Sequence, residues 1–494
     1  LCLPFLLFSC ERPEAGGIDW GKLERKYAAE EDSLKLKAVA FLKENTPYVG
    51  SETVEFYRND NNEIVPLRFA DYKNDTILKE HLFSNNIDFR PHYRYDTTIM
   101  TTADIAETIE EAFADWRKYP WNKHVSFDHF LNYLLPYKVF DEYPGAWRKD
   151  VKERYAEDIS ELIQKSRQDS FRNLYMKSNE LYYAFNLYKV GRIFDYTPRP
   201  SFMSKSPGYD EILCFRYGDC YAGSYLNVYF LRAIGIPATV DFIPHWGCKN
   251  GTHSAEVFID ETGKFSTPSG RELVNCAKAF RLNFRKQDVW KDSIAPFVDS
   301  PKFVLKHLQH NHWSDVTGEH TRVKDIALPA VLKEPYGYSY AYICVLDYGK
   351  WAPLYWGKVT AKDTVTFRNM GYPMLYRVAI QDGDSYKIAS PVYMVDSTGK
   401  VNHIAPDFRA KIDASFQKLN TGTDSWVEKG EEYDLFVMNG NSTWQAVASG
   451  ICAKDSVISF SGIPGKGLYR LVKKGDMREL SRPFTISNKT QVWW

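Results

Sequence analysis

The hydrophobic period changes along the chain, and that change restricts it to an α+β architecture whose helices and strands are largely segregated. From Asp19 to about Pro198 the spacing is helical. After Asp32-Ser33, residues Leu34, Ala38, Phe41 and Leu42 share one face, and Ile105, Ile109, Phe113 and Trp116 do the same after Thr102, the expected N-cap. A shorter helix from Phe127 to Leu134 should stop before Pro136. After Arg322 the period is roughly two, as in Tyr340 to Leu346, Thr364 to Phe367 and Met374 to Ile380, with Gly, Asp and Pro turns between the runs. A second set follows the linker-like stretch Pro406 to Asp424: Tyr433 to Met438, Val457 to Phe460, Leu468 to Val472 and Pro483 to Ile486. Short strands at this spacing predict β-sandwich modules. The expected divisions are 19–198, mainly helical; 199–321, a mixed core; and two β-sandwich modules, 322–406 and 407–494.

Charge removes whole classes of function. Lys plus Arg and Asp plus Glu are 63 each, so no overall field collects phosphates, and no local basic cluster replaces it. Nucleic acid is therefore not an expected partner. Aromatic usage is high, at 33 Tyr, 30 Phe and 13 Trp, which suits β-rich domains and also sugar-facing surfaces. A glycan partner is accordingly open for the C-terminal modules, whose Trp351, Trp356, Trp426, Trp444, Trp493 and Trp494 serve equally well as core.

Residues 1–18 form an apolar run followed by a polar tether. Leu1 to Cys10 is too short to span a bilayer and reads as the back half of a signal peptide. Its end, Leu7-Phe8-Ser9-Cys10, resembles a bacterial lipobox, which implies lipidation at Cys10 and a lipid anchor as the only membrane attachment. The expected location is the bacterial cell envelope, on the periplasmic or the outer-surface side. The chain has eight cysteines. Setting aside Cys2 and Cys10 leaves six, without a CxxC pair, so neither a zinc ribbon nor a disulfide framework is indicated.

The chemistry concentrates between Tyr217 and Asp260. Asp219 can cap a helix that starts at Cys220, continues its apolar face through Tyr225, Val228 and Tyr229, and closes at Gly235 with Pro237 just beyond. The β-prone run Thr239 to Ile243 follows. A cysteine in the first turn meets the positive end of the helix dipole and unpaired N–H groups, which stabilise a thiolate. The Cys220 N–H would also face an oxyanion forming at the sulfur. His253 opens the next alternating run, which ends at the turn Asp260 to Gly263. If the two strands pair, His253 can face the helix start and act as base to the thiol.

Three segments, Gly218-Asp219-Cys220, Leu231-Arg-Ala-Ile-Gly-Ile-Pro-Ala238 and His253-Ser254-Ala255, resemble the core motif of the transglutaminase-like branch of the papain-like cysteine superfamily. The resemblance covers roughly 60 residues. It implies a papain-type core over 199–321, Cys220 as nucleophile and His253 as general base and acid. Two positions depart from the family pattern. Ala255 stands where a Trp is usual, and Thr267 or Ser269 stands where the orienting Asp is usual, which leaves the third catalytic residue unassigned. Glu256 and Asp260, the nearby acids, are poorly placed to substitute. The layout also resembles multi-domain lipoproteins of the Bacteroides type.

Trp246 and His245, just before His253, are candidates for one wall of a substrate cleft, and Tyr209 or Trp147 for an oxyanion site. His307, His310 and His312 are read as a solvated turn, so no metal is expected. Without a phosphate loop, a dinucleotide fingerprint or a G-x-S-x-G elbow, no cofactor is expected either. The reading is an extracytoplasmic cysteine enzyme that cleaves or transfers acyl groups at peptide or amide bonds of a peptide or protein substrate. The alternative is an impaired enzyme fold acting as a surface binding or scaffold protein.

Overall fold

A computed structural model describes residues 17–119, 122, 124–166, 194–200, 203–260, 263–266, 273, 275–287, 305–308, 312–332, 340–361, 363–383, 385–420, 424–440, 443–453, 456–476, 481–488 and 490–494. The fold is α+β, with a β-rich C-terminal region. The chain divides into two compact units: Leu1–Val240 with Ala255–Gly270 and Leu282–Lys286, and Asp241–Ser254 with Arg271–Arg281 and Gln287–Trp494.

Unit 1 opens with helices α1 (Trp20–Ala29) and α2 (Ser33–Asn45). Asp19 and Asp32 cap them, Asp19 accepting the Lys22 N–H and Asp32 the N–H groups of Leu34 and Lys35. Later come α3 (Asp75–Ser84) and α4 (Thr102–Lys118). The cap of α4 is Thr101, one residue before the expected Thr102, because Thr101 and Asp104 exchange side-chain and backbone hydrogen bonds in a capping box. Phe127 begins a short helical turn that runs as a π-turn through Phe130–Leu134 and stops ahead of Pro136. The stripes found in the sequence meet in one core, where Ala38, Phe41, Leu42, Ile105, Ile109 and Phe113 are buried together with Phe130 and Leu134.

The region is mainly helical but also holds an antiparallel sheet not anticipated from its period. Strand β1 (Gly50–Arg58) lies between β2 (Ile64–Val65) and β3 (Ile87–Tyr95). Only three of the nine residues in β1 are buried, so the apolar alternation that marks a strand is faint. Beside it, Lys138 and Asp96 form a buried ion pair of 2.8 Å, joined by Ser51 and the Tyr137 hydroxyl. Helices α5 (Trp147–Arg154) and α6 (Ala156–Ser166) follow.

The segment that carries the motif begins with β4 (Asp195–Tyr196), α7 (Tyr209–Phe215), β5 (Tyr217–Gly218) and α8 (Cys220–Ala233). After α8 come β6 (Ala238–Ile243), β7 (His253–Ile259), β8 (Phe265–Ser266), β9 (Phe280–Leu282) and β10 (Trp313–Asp315), which order as β10-β9-β6-β7-β8.

In unit 2, strands β11 (Val323–Pro329), β12 (Tyr340–Asp347), β13 (Lys350–Ala361), β14 (Thr364–Gly371), β15 (Met374–Asp382), β16 (Ser385–Ile388), β17 (Tyr393–Val395) and β18 (Val401–His403) form one antiparallel sheet. The last module packs β19 (Asp407–Phe416) and its partner β24 (Ile458–Gly465) against a second sheet. Around it run the pair β20 (Lys418–Asn420) and β21 (Asp424–Trp426). The second sheet holds β22 (Glu432–Met438), β23 (Trp444–Ile451), β25 (Tyr469–Lys473), β26 (Phe484–Ser487) and β27 (Thr490–Trp493). Phe416, Phe460, Tyr433, Leu435 and Phe484 meet between the two sheets as a sandwich core.

Candidate active site

Helix α8 begins at Cys220. Asp219 is extended, with φ −82° and ψ −175°, and its Oδ1 accepts the N–H groups of Tyr221 at 3.1 Å and Ala222 at 3.3 Å. Cys220 is therefore the first helical residue, partly exposed and outside any disulfide. Every residue from Ala222 to Ala233 is buried. The helix stops where expected: Gly235 takes φ +79°, and the Ile236 N–H reaches back to the Leu231 carbonyl at 2.8 Å. Buried Arg232 donates from Nε to the Ala238 carbonyl at 2.9 Å, fixing the turn into β6.

The underside of α8 is unusually polar. Tyr229 donates to Glu142 at 2.7 Å, while Tyr225 is fully buried. Burial pushes three carboxyls of unit 1 up to about 7: Asp141, Glu211 and Glu256. Glu211 accepts Ser204 N–H at 2.6 Å. Glu256 is hydrogen-bonded by the side chain of Asn227, which lies on α8 two turns beyond Cys220. Sequence reasoning set Glu256 aside on strand parity. Asp260 closes its turn, accepting the Lys264 N–H and the Ser266 hydroxyl.

Neither oxyanion candidate has a donor to spare. The Tyr209 hydroxyl donates to Asp150 at 2.6 Å, and the Trp147 indole N–H to the Tyr137 carbonyl at 2.7 Å. Trp147 does line a cavity of about 240 Å³ with Asp104, Glu107, Glu111 and Tyr143.

Unit 2 carries the candidate histidines. His253 starts β7, and its ring stacks on Trp246 with centroids 5.6 Å apart and planes at 24°. Burial, helped by the Lys249 charge, lowers its pKa below the usual histidine value. Trp246 is itself buried, with Lys249 Nζ 3.6 Å from its ring centroid. No carboxylate hydrogen-bonds His253 among the described residues. Its neighbour in sequence His245 does meet one, with Nδ1 2.7 Å from Asp347 Oδ2. Asp347 Oδ1 accepts the Gly251 N–H at 2.6 Å. Burial pushes the Asp347 carboxyl up, but the bonds from His245 and Gly251 outweigh it and hold the group below the usual carboxylate range. Arg482 braces the same loop, donating to the Gly247 and Leu346 carbonyls and to Asn250. Asp347 and Arg482 were not found from sequence, since each lies far along the chain from the loop it holds.

His307 is half-buried, its Nε2 donates to the Leu354 carbonyl at 2.7 Å, and its pKa falls to about 4, so it is neutral rather than part of a solvated turn. The cause is desolvation of the ring, which packs against Phe280. His312 is buried, and His310 lies outside the described residues. Among the described residues, no group of three or more His, Cys, Asp or Glu side chains could hold a metal ion. No helix of these residues is long and apolar enough to cross a membrane. Cys10, Thr267 and Ser269 lie outside the described residues. Cys220 belongs to unit 1; His245, Trp246 and His253 belong to unit 2.

No family model matches the sequence, and no curated protein matches it. Among solved structures, the transglutaminase of red sea bream aligns with 90% of this chain and 78% of its own, at 10% identity and a TM-score of 0.22. A likeness of that size decides neither fold nor activity.

Proposed function

We propose that this protein is a cysteine acyl-transfer enzyme of transglutaminase-like type, held at the bacterial cell envelope by a lipid on Cys10. The observation that carries the reading is Cys220 as the first residue of an Asp-capped helix, partly exposed above an otherwise buried helix. A thiolate there is favoured by the helix dipole and the first-turn N–H groups. It would attack an amide carbonyl of a peptide or protein. His253 would take the thiol proton as the thiolate forms, give that proton to the leaving amine and then activate the water that releases the acyl group.

One observation favours a second assignment of the base. Of the two histidines in the loop and strand of the motif, His245 and not His253 is oriented by a carboxylate, and such an acid fixes the tautomer and stabilises the imidazolium. The reading as a binding or scaffold protein draws its support from the same place, since His253 is stacked and without that acid.

The test is limited alkylation with iodoacetamide at about pH 6, well below the free-thiol value of about 8.5. Burial pushes the Cys214 and Cys276 thiols up to about 12 and also raises Cys248, the partly exposed competitor. Cys220 should be labelled first. His253→Ala should slow its labelling if His253 is the base, and His245→Ala if His245 is. Equal labelling of Cys220 and Cys248, unmoved by either variant, would leave the scaffold reading.

A further inference from the structure

We infer that Tyr196 is a substrate-contacting residue of the Cys220 site, providing an aromatic wall for the acyl group; this rests on the reading of Cys220 as nucleophile. The segment Asp195 to Thr197 runs beside the approach to α8. Strand β4 pairs in parallel with β5, so that Tyr196 is registered with Gly218, two residues before Cys220. The Asp195 N–H donates to the Arg216 carbonyl at 2.8 Å and the Thr197 N–H to the Gly218 carbonyl at 2.9 Å. These bonds fix where the Tyr196 side chain leaves the backbone.

The ring lands on Gly223. A Cβ built there would lie 2.6 Å from Tyr196 Cε1, 2.6 Å from Oη and 2.8 Å from Cζ. Positions 220 and 223 are i, i+3 neighbours, and Cα–Cβ bonds tilt toward the helix N-terminus, so the space taken by the ring lies over the turn that Cys220 begins. Phe194 meets Tyr196 edge-on, centroids 5.2 Å apart and planes at 82°, which sets the ring's orientation. Yet Tyr196 is 61% exposed. An aromatic side chain fixed by backbone and neighbour, seated on a glycine of the nucleophile's own turn and still open to water, is built to receive an apolar partner. The substrate class it favours is an acyl donor with an aromatic side chain next to the reacting carbonyl.

The experiment compares second-order alkylation rates of Cys220 by iodoacetamide and by N-benzyl iodoacetamide in the full chain, followed by peptide mapping. Wild type and Tyr196→Phe should prefer the benzyl reagent by about three- to tenfold, the range expected of one aromatic contact. Tyr196→Ala should lose that preference, and Gly223→Ala, whose new methyl displaces the ring, should weaken it. An equal ratio in all four proteins would overturn the inference while leaving the nucleophile intact, as would loss of preference in Tyr196→Phe, which would point to the hydroxyl. Failure of both reagents to label Cys220 ahead of Cys248 would instead refute the nucleophile reading, and this inference with it.

Discussion

Replacing Asp219 separates two effects that the start of α8 combines. The carboxylate accepts two first-turn N–H groups, at 3.1 and 3.3 Å, and also places a negative charge beside the sulfur. Asp219→Asn keeps a cap of nearly equal quality and removes the charge, whereas Asp219→Ala removes both, at a cost of about 1 kcal/mol. A unit charge about 6 Å from a thiolate repels it by roughly 0.7–2.8 kcal/mol for effective dielectrics between about 80 and 20. The Arg199 guanidinium 3.8 Å from Asp219 offsets part of this. At about 1.4 kcal/mol per pKa unit, this is roughly half a unit to two units before the Arg199 offset, and at most about one unit after it. Asp219→Asn should therefore move the pH profile of Cys220 alkylation to lower pH by that amount with an unchanged melting temperature. The alanine variant should show the same direction of shift with a lower melting temperature. A profile that stays still, or moves to higher pH, in a folded Asp219→Asn protein would refute a thiolate held at the helix start.

Cys10→Ala should release the protein into the soluble fraction without changing its melting temperature, because the polar stretch from Glu11 separates the anchor from the folded units; unchanged membrane fractionation would refute lipidation. Asp241 is fully buried, bound by Arg281 through two 2.8 Å bonds and by His320 at 2.6 Å. Its pKa is lowered: burial opposes ionisation, and the Arg281 charge with these bonds more than offsets it. Its stabilisation is therefore present above the unfolded value near 4 and is lost as pH falls through the lower folded one, and Asp241→Asn should cost about 3–5 kcal/mol in urea unfolding at neutral pH. Lys138→Met, which removes the ion-pair partner of Asp96 in the core of unit 1, should cost a similar amount by the same measurement. Gly235→Ala should destabilise despite the better helix former, since a Cβ at φ +79° would lie 2.5 Å from the Tyr119 ring; a raised melting temperature would contradict this.

Elements whose one face is apolar and whose ends carry strong caps were legible in the sequence. Helix α2 was marked by Asp32 and its stripe, and α8 by Asp219 at one end and Gly235 at the other. Strands β12, β15 and β22 were readable because buried residues dominate them or alternate along them. Strand β1 was not, because its pairing with β3 is held by backbone bonds across all nine residues while most of its side chains are only partly buried. Period reports burial, and a half-exposed sheet has little of it to report.

The site divides along the same line. Local chemistry, such as a cysteine after a cap, can be read from neighbouring residues. Partnerships between distant residues cannot. Asp347 reaches His245 across 102 positions, and nothing near either residue signals the other. The Thr267 and Ser269 positions directed the search for an acid to the strand after His253, yet the carboxylate held against a histidine of this segment comes from the end of β12. That makes the acid a test of which histidine matters. Asp347→Asn keeps an acceptor for the Gly251 N–H but removes the charge facing His245, so it should leave the loop folded while altering only chemistry that depends on His245. If Cys220 alkylation slows in Asp347→Asn and not in His253→Ala, His245 is the base. If the reverse holds, Asp347 serves only to brace the loop and His253 acts without a carboxylate. If neither variant changes the rate, the reactivity of Cys220 belongs to its helix alone, and the scaffold reading gains.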